Sequence, residues 1–139
     1  DVNPQISGSN IVWQNLGTSS STIFLSNAGG TPTPLSASTG IAVNPQVSGS
    51  NIVWQANTGT NLDLFYSNGS GTPIRLTENG VNDLNPRISG ANVVWSSQAS
   101  GSATSEIFLT NNARQDSFTF TVTDGVGGST VGTFNFTIG

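Results

Sequence analysis

The sequence predicts an all-β protein of three tandem four-stranded antiparallel units followed by a β-hairpin. Three observations carry this expectation. Pro recurs at positions 4, 45 and 86 and Trp at 13, 54 and 95, both with a constant step of 41. Within each copy, short runs of β-branched and aromatic residues alternate with turns rich in Gly, Ser and Asn. Beyond Asp116 the texture changes to strict alternation of apolar residues with Thr.

The repeat comes first, because missing it misreads the whole fold. The stretch from Val2-Asn3-Pro4 through Ser7-Gly8-Ser9-Asn10 to Ile11-Val12-Trp13 returns as Val43-Asn44-Pro45 through Ser48-Gly49-Ser50-Asn51 to Ile52-Val53-Trp54. It returns again as Leu84-Asn85-Pro86 through Ser89-Gly90-Ala91-Asn92 to Val93-Val94-Trp95. Later in the unit, Ile23-Phe24-Leu25 matches Leu64-Phe65-Tyr66, and Ile107-Phe108-Leu109 follows two residues late. A last segment, Thr31 to Ser36, matches Thr72 to Thr77 and has no counterpart in the third copy. The units run about 1–41, 42–82 and 83–112, and 113–139 forms the C-terminal hairpin region.

In the second unit the strands are expected at 45–48, 51–56, 63–67 and 73–77, with Asn44-Pro45 starting the first. The Ser-Gly pairs at 7–8, 48–49 and 89–90 read as hairpin turns. The triplets Ile52-Val53-Trp54 and Leu64-Phe65-Tyr66 are continuous rather than alternating, which is expected of strands covered on both faces. A four-stranded antiparallel unit of this length, sandwiched between like units, is the blade of a β-propeller. No stretch shows helical periodicity, and Gly, Asn, Ser and β-branched residues disfavour helix throughout.

These motifs resemble the WD40-like (PD40, TolB-type) propeller repeat. The resemblance rests on Asn-Pro-x-[Ile/Val]-Ser-Gly-x-Asn-[Ile/Val]-Val-Trp, on Asp63-Leu64-Phe65-Tyr66-Ser67-Asn68-Gly69 and on Pro73-Ile74-Arg75-Leu76-Thr77, and covers about 1–112. It implies four-stranded blades and a protein-binding or scaffolding role, without catalysis. The first unit departs from it in lacking an acid before Ile23 and an Arg in its last strand.

In the tail, Phe118, Phe120 and Val122 alternate with Thr, as do Phe134, Phe136 and Ile138 after a Gly-rich link. The expected product is a hairpin with one buried and one Thr-lined face. The stretch 116–138 is similar to the last strands of bacterial cadherin-like or Ig-like adhesin repeats. An isolated hairpin is marginal in water, so this one is expected to dock on its own third blade or on a neighbour's sheet.

Composition removes whole classes of chemistry. The chain has no His and no Cys, so imidazole bases, thiol nucleophiles, zinc fingers and disulfides are absent. Three cationic residues and a net charge of −4 rule out a nucleic-acid footprint. The longest apolar runs are three residues, too short to span a bilayer as a helix. No cofactor or metal is expected, because no Asp-rich calcium loop or nucleophile elbow occurs. The seven acids, Asp1, Asp63, Glu78, Asp83, Glu106, Asp116 and Asp124, are scattered and mostly beside turns, and read as solvated loop residues rather than a catalytic pair. The chain opens at Asp1 without a charged and apolar leader, so a signal peptide is expected to be absent or removed.

Two sets of residues are candidates for recognition. Trp13, Trp54 and Trp95 occupy one repeat position and would stack on sugar rings if exposed. Their place in apolar triplets favours packing between blades instead. Phe118, Phe120, Val122, Phe134, Phe136 and Ile138 form the hairpin's apolar face, an expected assembly interface. Propellers close with about four to eight blades. Three blades leave two apolar faces open, and such faces usually mark interfaces. The expected function is non-enzymatic: an extracellular or cell-surface structural and adhesive module that binds itself into a ring or filament. The alternatives are a propeller that binds a surface glycan or protein, and a fragment of a larger propeller.

Overall fold

A computed structural model describes residues 1–37 and 40–111, together with the backbone of two strands in the tail. The protein is all-β, with three antiparallel sheets and no helix among the described residues. The first blade comprises β1 (Val2–Ser7), β2 (Asn10–Leu16), β3 (Ser21–Asn27) and β4 (Thr33–Pro34), hydrogen-bonded in that order. The second repeats it with β5 (Ala42–Ser48), β6 (Asn51–Asn57), β7 (Leu62–Ser67) and β8 (Ile74–Arg75). The third contains β9 (Asn82–Ser89), β10 (Asn92–Gln98) and β11 (Glu106–Thr110). Strands β12 (Ser117–Thr123) and β13 (Ser129–Asn135) extend that sheet to five.

Local chemistry explains the strand ends. Ser7 pairs with Asn10, Ser48 with Asn51 and Ser89 with Asn92, leaving two-residue turns. Their first central residues, Gly8, Gly49 and Gly90, have φ near +59, +59 and +58. This is the left-handed conformation that a tight hairpin demands and glycine accepts. The outer strands β4 and β8 span only two residues, because side-chain hydroxyls then take over the ladder. The Ile23 N–H donates to Ser36 Oγ at 2.9 Å, and the Leu64 N–H donates to Thr77 Oγ1 at 2.9 Å.

The Asn-Pro pairs do not start their strands; they lie inside β1, β5 and β9, at β-bulges. Asn3, Asn44 and Asn85 have φ of 52, 54 and 55. The bulge takes the following Pro out of the ladder, so its missing N–H costs no strand bond. Asn is one of the few side chains that tolerate this backbone, and it also finds a partner. Asn44 Nδ2 donates to Gln55 Oε1 at 2.8 Å, and Asn3 Nδ2 to Gln14 Oε1 at 3.1 Å.

Two apolar layers lie between the blades. Val12, Ile23 and Leu25 of the first blade pack with Ala42, Ile52 and Trp54 of the second. Val53, Leu64, Tyr66 and Leu76 of the second pack with Val93 and Trp95 of the third. Each directly opposed Trp–Phe pair is stacked: Trp13–Phe24 at 5.8 Å, Trp54–Phe65 at 6.1 Å and Trp95–Phe108 at 5.7 Å between centroids. Both faces of the second blade are therefore buried, as are five consecutive residues of β6. The same triplet in β2 and β10 is covered on one side only.

The hairpin is realised as backbone, with Phe118 opposite Phe134, and its second strand begins at Ser129, earlier than the alternation of apolar residues suggests. Strand β12 pairs with β11 through Ile107 and Thr123. It occupies the place of the fourth strand that the third repeat lacks. The side chains of Phe118, Phe120, Val122 and Phe134, and residues Phe136 and Ile138 altogether, lie outside the described residues.

Candidate functional site

The repeat gives every blade a leading face and a trailing face. The leading face presents Ile6, Ile11, Trp13 and Phe24, whose counterparts are Val47, Ile52, Trp54 and Phe65, then Ile88, Val93, Trp95 and Phe108. The trailing face presents Val12, Ile23 and Leu25, then Val53, Leu64 and Tyr66, then Val94, Ile107 and Leu109. At both internal junctions a trailing face packs on a leading one. The leading face of the first blade and the trailing face of the third have no such cover among the described residues. Ile6 is 70% exposed on one, and Val94 and Ile107 are 38% and 56% exposed on the other.

A polar latch accompanies each junction. Asn10 Nδ2 donates to the Gly49 carbonyl at 2.8 Å, and the Gly49 N–H donates to Ser7 Oγ at 2.9 Å. One blade on, Asn51 Nδ2 donates to the Gly90 carbonyl at 2.7 Å, and the Gly90 N–H donates to Ser48 Oγ at 2.8 Å. The turn glycine of each following blade is thus held by the Ser and Asn that flank the preceding turn. Ser89 and Asn92 stand at these positions in the third blade, exposed, with no following blade among the described residues; Gly8 is the exposed counterpart at the other end. Sequence reasoning took the Ser-Gly pairs only as turns. The signal it passed over was the Ser and Asn repeated in all three copies.

The three tryptophans are placed differently by their neighbours. Trp54 and Trp95 are 1% and 4% exposed between blades, whereas Trp13 lies half-buried on the open leading face. Trp95 Nε1 donates to Asp83 Oδ1 at 3.0 Å and to Ser97 Oγ at 3.2 Å. Ser97 and Asn79 also donate to that carboxylate oxygen. Trp54 Nε1 has no partner among the described residues.

Two acids depart from the expectation of solvated loop residues. Asp63 is 1% exposed and Asp83 is fully buried. Asp63 pairs with Arg75 at 2.8 Å and accepts the Thr58 hydroxyl, while Arg75 also reaches Glu78 at 2.9 Å. A buried carboxylate is tolerable because it is paired or hydrogen-bonded, and each lies near a turn only in sequence. They sit at different junctions, each toward the preceding blade: Asp63 shares the face of Phe65 toward the first blade, and Asp83 that of Trp95 toward the second. They do not form a carboxylate couple. No cluster of three acids suited to a metal ion occurs among the described residues, and no helix there is long and apolar enough to cross a membrane.

The stacked four-stranded sheets, joined in sequence order around converging first strands, define a β-propeller segment. The crystal structure of TolB from Acinetobacter baumannii, a β-propeller protein, shares this fold with a TM-score of 0.62 over 86% of the chain, at 12% identity. The chain spans 39% of the length of that structure. No protein-family model and no curated protein matches the sequence.

Proposed function

We propose that this protein is a non-enzymatic, extracellular structural module whose copies join through their open blade faces. The supporting observation is that the two open ends repeat the two sides of a junction the chain already makes twice. A second copy placing Ile6, Ile11, Trp13 and Phe24 on Val94, Ile107 and Leu109 would re-create that layer. Burying each large apolar side chain contributes about 1.5–3 kcal/mol. The contact is heterologous, so it closes into a ring or continues as a filament. Two chains would supply six blades, within the usual range. Low charge favours dense packing, since few like charges repel. The adhesin-like pattern of 116–138 supports a cell-surface setting.

Sedimentation of the full chain at micromolar concentration tests the reading. The expected result is a dimer or larger species that Ile107→Asp returns to a folded monomer. A monomeric wild type would overturn self-association. It would favour the second reading, in which further blades of a longer polypeptide cover the same faces, a reading supported by the span of 39% against the TolB chain.

A further inference from the structure

We propose that the junction between the first and second blades holds a binding site for a small, mainly apolar molecule carrying one hydrogen-bond acceptor. A cavity of about 280 Å³ lies there, walled by Leu35, Ile41, Ala42, Trp54, Ala56 and Phe65. It reaches solvent past Ile41, which is 46% exposed.

The repeat explains why this space exists at this junction. In the third blade, Trp95 gives its N–H to Asp83 and Ser97. The counterparts of those two residues in the second blade, one repeat earlier, are Ala42 and Ala56. Both alanines line the cavity, and the Trp54 N–H that they leave without an acceptor is buried. The acceptors have been deleted while the donor and its ring position have been kept.

Water is a poor occupant. It needs two to four polar partners; this wall is chiefly apolar, and besides the Trp54 indole its polar side chains are Ser36 and Asn57, whose oxygens already accept from the Ile23 and Gly59 N–H groups. A cavity of about 150 Å³ lined by aliphatic and aromatic groups takes benzene. The larger space here suits a substituted aromatic or short branched body. A carbonyl or ether oxygen on that body would satisfy the indole, since a ligand pocket is orientated by a few placed polar groups. The site is intramolecular and does not depend on association between copies.

Acetophenone and α-methylstyrene, which have the same shape and differ in having or lacking an acceptor oxygen, make the test. Binding of each to the full chain is measured by ligand-detected NMR titration. Acetophenone is expected to bind about five-fold more tightly, the size of one neutral hydrogen bond. Ala42→Asp gives Trp54 an internal acceptor and fills the space, and is expected to abolish binding with an unchanged circular dichroism spectrum. Ala56→Ile fills it from the other wall and carries the test if the first variant does not fold. Absence of saturable acetophenone binding, equal affinity for the two probes, or binding retained in a folded filled variant would each overturn the proposal.

Discussion

The indole N–H of Trp95 donates to Oδ1 of Asp83 at 3.0 Å, an acceptor supplied by the first strand of its own blade. One repeat earlier the same indole faces Ala42, and in the first blade Asp1 stands at that position and accepts from Asn15 at 2.7 Å. Three copies of one sequence thus carry three different environments for a single side chain. The stability of each blade follows from such differences.

Asp83→Ala removes the acceptor of the buried Ser97 hydroxyl and the nearer of the two acceptors of the Trp95 indole. Each unsatisfied buried polar group costs about 1–3 kcal/mol, so a loss of about 2–3 kcal/mol is expected. Asp83→Asn keeps an acceptor oxygen and should cost less. Urea unfolding with an unchanged slope would separate the two variants by midpoint.

Arg75→Met removes the cation that neutralises Asp63. Breaking a fully buried pair costs about 3–5 kcal/mol. Arg75 is 34% exposed and shared with Glu78, so a smaller loss of about 1–3 kcal/mol is expected. Glu78→Gln, at the surface, should cost under about 0.5 kcal/mol. A thermal melt of both variants, ranked against wild type, checks the order.

Asn44 combines a left-handed backbone with a bond to buried Gln55. Asn44→Gly keeps the backbone and loses the bond, at about 1 kcal/mol. Asn44→Ala loses the bond and adds left-handed strain, about 2 kcal/mol together. Denaturant midpoints should fall in the order wild type, glycine, alanine. The same changes at Asn3, on an exposed edge strand, should have smaller effects.

The latch residues give a contrast between positions. Ser48→Ala with Asn51→Ala breaks an internal junction and removes the acceptor of the Tyr66 hydroxyl. It should lower folding stability by about 2 kcal/mol or more. Ser89→Ala with Asn92→Ala touches only the open end. It should leave the unfolding midpoint of the isolated chain in place and weaken association of copies about ten-fold, as read by sedimentation across a concentration series.

Much of this architecture can be read from residues alone. The step of 41, the turn glycines and the apolar triplets specify three successive sheets, and the opposition of each Trp to a Phe follows from the hairpin register. The turn glycines act locally, because a two-residue turn sets the pairing of the two strands it joins, whereas each Trp–Phe opposition lies across a longer loop, of four residues in the first two blades. The position of the Asn-Pro pairs was not legible, since a bulge depends on how two strands twist together. The burial of Asp63 and Asp83 was also hidden: it arises when a neighbouring blade covers a residue that sequence places beside a turn.

The tail shows the same division. Alternation announced a hairpin, and packing assigned it the vacant edge beside β11. Nearly identical strands β2, β6 and β10 end up with one covered face, two, and one. Local sequence specifies what each face can bury, whereas the number of sheets stacked against it specifies what it does bury. The latter is a property of neighbours distant in the chain, which is why Trp13 and Trp54, alike in their triplets, meet different surroundings.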